Sequence, residues 1–113
     1  KNLKKARREL ADLPIADLLA LTPERFAAVF RRTPIKRLKL TGILRNACIV
    51  AGNSGDRTLL PALVALARHD SALVRAHAVW AVRQLAGAAA EELLAEARAV
   101  EADASVRAEY DAR

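Results

Sequence analysis

Between Arg31 and Gly55 the chain reads RRTPIKRLKLTGILRNACIVAGNSG, with six Lys or Arg residues in its first fifteen positions and no acid anywhere. Cations packed this densely, with no carboxylate nearby to neutralise them, are suited to holding an anion. The bias extends over the whole first half. Residues 1–57 carry 13 basic and 5 acidic side chains, a net +8, whereas residues 58–113 carry 6 and 8, a net −2. A polyanion such as nucleic acid fits that asymmetry. An acidic membrane surface fits less well, because no segment pairs its basic face with a large exposed aromatic stripe.

Other chemistry is poorly served. There is no Gly-rich phosphate loop, HExxH, CxxC or nucleophile elbow. His69 and His77 stand eight residues apart with no carboxylate at metal-ligand spacing, so no catalytic constellation is expected. Trp80 could stack on a base, but its place beside Leu73 reads as a filler between helical hairpins. Cys48 is the single cysteine. It excludes an internal disulfide and a multi-cysteine metal site in this chain, and within the apolar run Ala47–Ala51 it reads as an inert buried thiol. A cytosolic, hence cytoplasmic, setting is the expectation.

At 113 residues the chain suits one domain with a real core. It opens at Lys1 and holds no Met, which reads as a piece of a longer protein. Ala and Leu dominate, with four Gly and four Pro, so the fold class expected is all-α. No run approaches the ~18 apolar residues of a membrane span.

The elements that must position the cations follow from periodicity and punctuation. Leu3, Ala6, Leu10 and Leu13 predict an opening amphipathic helix ended by Pro14. A short helix near 15–20 and one over 23–31 follow, the second capped by Thr22 and striped by Phe26, Val29 and Phe30. Thr33-Pro34 starts Ile35–Gly52, as one long helix or as two that break near Thr41-Gly42. At ~100° per residue, Lys36, Arg37 and Lys39 share an arc of ~160°, while in an unbroken helix Arg45 falls opposite Lys36. Asp56 or Thr58 caps a helix to about Arg68, with Leu59, Leu60, Leu63, Leu66 and Ala67 for the core. Ser71–Leu85 comes next, closed by Gly87, with Val74, Ala78, Ala81 and Leu85 on one face. Glu91–Val100 and Ala104–Ala112 form a last, acidic pair.

Three of these segments echo one another: Leu44-Arg45-Asn46-Ala47, Val74-Arg75-Ala76-His77 and Val106-Arg107-Ala108-Glu109. Helical hairpins recurring every ~30 to 45 residues are the signature of an α-solenoid. The run of Asp, a few residues, Val-Arg and an alanine-rich helix resembles HEAT repeats. The domain then divides into lead-in helices (1–33), a basic helical segment (34–55), a full repeat (56–87) and a terminal hairpin (88–113). The resemblance implies an arginine ladder, Arg75 and Arg107 pairing with Asp70 and Asp103 in the inter-helix turns. For Arg45, with no acid upstream in its unit, ladder and ligand both remain open.

Over Leu10–Leu85 the chain also resembles the C-terminal region of the epoxyqueuosine reductase family. The residues that carry this are Leu18–Thr22, Phe26, Phe30-Arg31, Thr33–Arg37, Leu44–Ala47, Gly52–Asp56 and Val79–Ala81. Arg32 departs from the family, which has Gly after the arginine of the Phe-Arg pair. The resemblance implies a repeat module that helps hold the anticodon arm of tRNA. An upstream catalytic domain, with cobalamin and two 4Fe–4S clusters, would reduce epoxyqueuosine to queuosine. No cofactor is expected in this chain. On that reading Arg31, Arg32, Lys36, Arg37 and Lys39 meet phosphates, with Arg45, Asn46 and Asn53 behind them, since structured RNA is gripped through phosphate and 2′-hydroxyl contacts. The competing reading is a HEAT scaffold whose basic face meets an acidic protein.

Overall fold

The computed structural model describes residues 13–25 and 37–112, with the side chains of Arg37 and Leu38 left out. The expected opening helix before Leu13 and the Phe26, Val29 and Phe30 stripe lie outside the described residues. Those described are helical, and no strand occurs among them: α1 (Ile15–Leu19), α2 (Arg37–Asn53), α3 (Leu60–Leu66), α4 (Ala72–Ala86), α5 (Ala90–Leu93), α6 (Ala95–Val100) and α7 (Ala104–Asp111). The fold is an all-α stack of solenoid type.

Local chemistry sets most boundaries. Thr22 Oγ1 accepts from the Arg25 amide at 3.1 Å, the cap expected there. Asp56 accepts from the Thr58 amide at 3.0 Å and starts a 3-10 turn over Arg57–Leu59, which leads into α3 with Pro61 in its first turn. Ser71 caps α4 through the Val74 amide. Gly87 ends α4 at φ +57°, a conformation that β-carbon-bearing residues resist. Asp103 caps α7, its Oδ1 accepting from the amides of Ser105 at 2.8 Å and Val106 at 3.2 Å.

Helix α2 runs unbroken through Thr41-Gly42. A single glycine costs a helix only about 1 kcal/mol. Burial of Leu40, Leu44, Ala47, Cys48 and Ala51 along one face outweighs it. The expected helix over Glu91–Val100 is instead two, α5 and α6, offset at Leu94, where ψ opens to 5°. The buried side chains there are Ala90, Leu94 and Ala97, so the offset keeps all three on the core.

Helix α4 is the centre of the stack. It packs against α2 on one side and α7 on the other, with α3 turning back onto it through residues 67–71. Val74, Ala78, Val79, Ala81, Val82, Leu85 and Ala86 are therefore buried, a wider arc than the single face that periodicity marks. Leu59, Leu60, Leu63, Leu66 and Ala67 reach the core as expected, while Leu19 and Leu21 bring α1 and its exit onto α2 and α3. Between α2 and α4 the approach is close because Gly52 has no side chain. A β-carbon there would stand 2.5 Å from Trp80 Cζ3 and 3.1 Å from the Ala81 Cα.

Candidate functional site

The arginines sort into those the fold uses and those it leaves outward. Arg57 Nη1 donates to the Leu85 carbonyl at 2.7 Å. Arg83 reaches across to α7, donating to the Glu109 carbonyl at 2.5 Å and to the Ala112 carbonyl. Arg98 pairs with Asp111 at 2.6 Å and lies over the Tyr110 ring, 5.5 Å from its centroid. These contacts tie α4, α6 and α7 together.

The ladder exists with a different acid. Arg75 donates to the His69 and Asp70 carbonyls at 2.9 and 3.0 Å, while its Nε and Nη2 meet Glu101 Oε1 and Oε2 at 2.8 and 3.1 Å. Arg107 donates to the Glu101 carbonyl at 3.2 Å. Asp70 and Asp103 are therefore not the carboxylate partners expected. Asp70 offers its carbonyl, and the Asp103 carboxylate is committed to capping α7. Glu101 also accepts from the Asp103 amide at 3.1 Å. Burial alone would raise its pKa, but Arg75 and that amide together hold it below the usual carboxylate range. Asp103 is likewise held low, by the Ser105 hydroxyl first and the Val106 amide next.

Helix α2 has a different electrostatic character, with no acid between Arg37 and Gly55. Of the residues expected to meet an anion, Arg31, Arg32 and Lys36 lie outside the described residues, and Arg37 begins α2. Lys39, Asn46 and Asn53 are exposed and Arg45 is half-buried. Because α2 is continuous, Lys39, Arg45, Asn46, Ile49 and Asn53 fall within an arc of about 120° at 100° per residue. Arg45 sits in mid-helix, with no turn six residues before it to supply ladder carbonyls, and its Nε donates to Asn46 Oδ1 at 3.2 Å. It stands with the outward set.

Beside this face lies a groove of about 350 Å³ lined by Ile49 and Asn53 of α2, Ala76, His77 and Trp80 of α4, and Glu109 of α7. Trp80 does fill the gap between hairpins, against Gly52, and it lines the groove as well. Ile49 and its neighbour Val50 are 37% and 51% exposed. Sequence reasoning missed this groove because it joins three helices distant along the chain. The echo of Leu44, Val74 and Val106 segments was the signal that they align.

Among the described residues no three His, Cys, Asp or Glu side chains gather as a metal site, and no helix is long and apolar enough to cross a membrane. Cys48 is buried, and burial pushes its thiol up to about 12. A family model described as HEAT repeats matches residues 41–112, more than half of the chain. No curated protein and no solved structure matches it.

Proposed function

Because the chain belongs to the HEAT-repeat family, we propose that it is a non-catalytic binding module whose acid-free helix α2 holds structured RNA. The observation that supports this most is the partition of cations. Arg57, Arg75, Arg83, Arg98 and Arg107 are engaged with carbonyls or carboxylates of the stack, whereas Lys39 and Arg45 share an outward face without a single acid on their helix. Uncompensated cations on a rigid helix suit phosphates, and Asn46 and Asn53 on the same arc suit 2′-hydroxyls.

The resemblance to epoxyqueuosine reductases narrows the RNA to the anticodon arm of tRNA. It assigns the reduction to an upstream domain carrying cobalamin and 4Fe–4S clusters, outside this chain. By the same resemblance Arg31, Arg32, Lys36 and Arg37 belong to the set that meets phosphates. A second reading, a scaffold for an acidic protein, draws on the exposure of Ile49 and Val50 beside the same cations.

Salt separates the two. RNA affinity falls by about 0.7 to 0.9 log units per log unit of salt for each phosphate contacted, and a protein partner gives a gentler slope. Charge reversal at Lys36 and Arg37 weakens tRNA binding, while reversal at Glu91 and Glu92 leaves it unchanged. Equal effects from the two double variants would reject the assignment.

A further inference from the structure

We propose that the groove between α2, α4 and α7 is a pocket for one unpaired RNA base, guanine in preference to the others, stacked against Trp80. This deepens the RNA reading above and rests on it.

The groove combines an aromatic side chain with hydrogen-bonding groups that the fold leaves uncommitted. Trp80 is fixed by its contact with Gly52, so its ring offers a stacking surface at little entropic cost. His77 Nδ1 donates to the Leu73 carbonyl at 2.8 Å, which leaves Nε2 of the neutral ring as an acceptor. The Glu109 carboxylate and the Asn53 amide have no partner among the described residues, and both line the groove. The balance is two acceptors, Glu109 and His77, and one group, Asn53, that both donates and accepts. Guanine matches this best. Its pairing edge presents two adjacent N–H donors, suited to one carboxylate, beside a carbonyl that an amide N–H can meet.

Size and charge point the same way. A volume of about 350 Å³ is at the small end of ligand-holding clefts and suits one ring system rather than a partner helix. Arg45 is one turn before Ile49 on α2, about 6 Å along the axis. Its Nη atoms have no partner among the described residues, so they are available to the phosphate of the nucleotide whose base is inserted. Aromatic stacking beside a cationic track is how single strands are held.

Trp80 is the only tryptophan in the sequence, so its emission reports the groove directly. The 113-residue chain is titrated with an end-labelled uracil-rich strand holding one guanine, and with the same strand carrying an abasic site there. Label anisotropy reads binding and Trp80 emission reads insertion. The expected result is quenching by the guanine strand that the abasic strand does not produce, with Trp80→Leu about 10-fold weaker toward the guanine strand only. Glu109→Gln supplies a readout that does not disturb the stack. It weakens guanine-strand binding about 5-fold if the carboxylate accepts from the base, whereas on a surface that senses charge alone, removing an acid tightens it. Binding without quenching, or tightening by Glu109→Gln, overturns the pocket and leaves the RNA reading standing. Absence of any anisotropy change overturns the pocket, and overturns the RNA reading as well if labelled tRNA titrated in the same way also gives none. Quenching by an arginine-containing peptide but not by RNA assigns the groove to a protein tail and likewise overturns the proposal.

Discussion

Arg75 meets Glu101 through two parallel contacts, Nε to Oε1 at 2.8 Å and Nη2 to Oε2 at 3.1 Å, with the glutamate side chain only 3% exposed. Arg75 lies on α4 and Glu101 in the turn between α6 and α7, so one guanidinium fastens the turn before α4, through the His69 and Asp70 carbonyls, to the turn before α7. Removing the cation strands a buried carboxylate. Arg75→Ala is expected to cost about 3 kcal/mol of unfolding free energy, read as a lower urea midpoint, and Arg75→Lys recovers little because an ammonium cannot make the paired geometry.

Acid should loosen the same joint. Glu101 and Asp103 both have folded-state pKa values below their ordinary ones, so the unfolded chain binds protons more readily than the folded one. Their stabilisation is complete above the ordinary carboxylate range and is lost as pH falls through and below it. Thermal melts across the acid range should therefore show a falling midpoint, and the fall should be shallower in Glu101→Gln.

Two glycines of α2 should respond in opposite directions. At Gly52 an added methyl meets Trp80 and the Ala81 backbone, so Gly52→Ala forces α2 and α4 apart at a cost of about 1 to 3 kcal/mol. At Gly42 nothing lies within 4 Å of the added carbon, and Gly42→Ala in an unbroken helix gains about 0.5 to 1 kcal/mol. Denaturant midpoints of the two variants would test both the packing and the continuity of α2.

Cys48 is fully buried, and burial lifts its thiol to about 12. The thiolate is the reactive form. A thiol-specific disulfide reagent at pH 8 is expected to leave the folded chain unmodified and to react promptly once denaturant is added. Prompt reaction without denaturant would contradict the burial.

What the sequence disclosed depended on the range of the interaction. Caps at Thr22 and Asp56, the helix start near Ser71 and the stop at Gly87 were legible because each is settled within four residues. The core of α3 was legible for the same reason, since periodicity alone marks it. The ladder was legible only in outline. Its arginines repeat visibly, but Asp70 and Asp103 looked like the acids because they precede the helices, whereas Asp103 is occupied by capping and Glu101 becomes accessible only when the units stack. Trp80 was read as packing and lines a groove as well, since the proximity of Glu109 is a tertiary fact. The continuity of α2 was left open by the Thr41-Gly42 pair and resolved by burial on both sides of it.

Most of the arginine contacts inside the stack end on main-chain oxygens: those of Leu85 for Arg57, His69 and Asp70 for Arg75, Glu109 and Ala112 for Arg83, and Glu101 for Arg107. A carbonyl survives any substitution at its own residue. At these accepting positions the side chain can therefore change without unfastening the stack, whereas the arginine donors, and Glu101 as the one residue that also lends Arg75 its carboxylate, cannot.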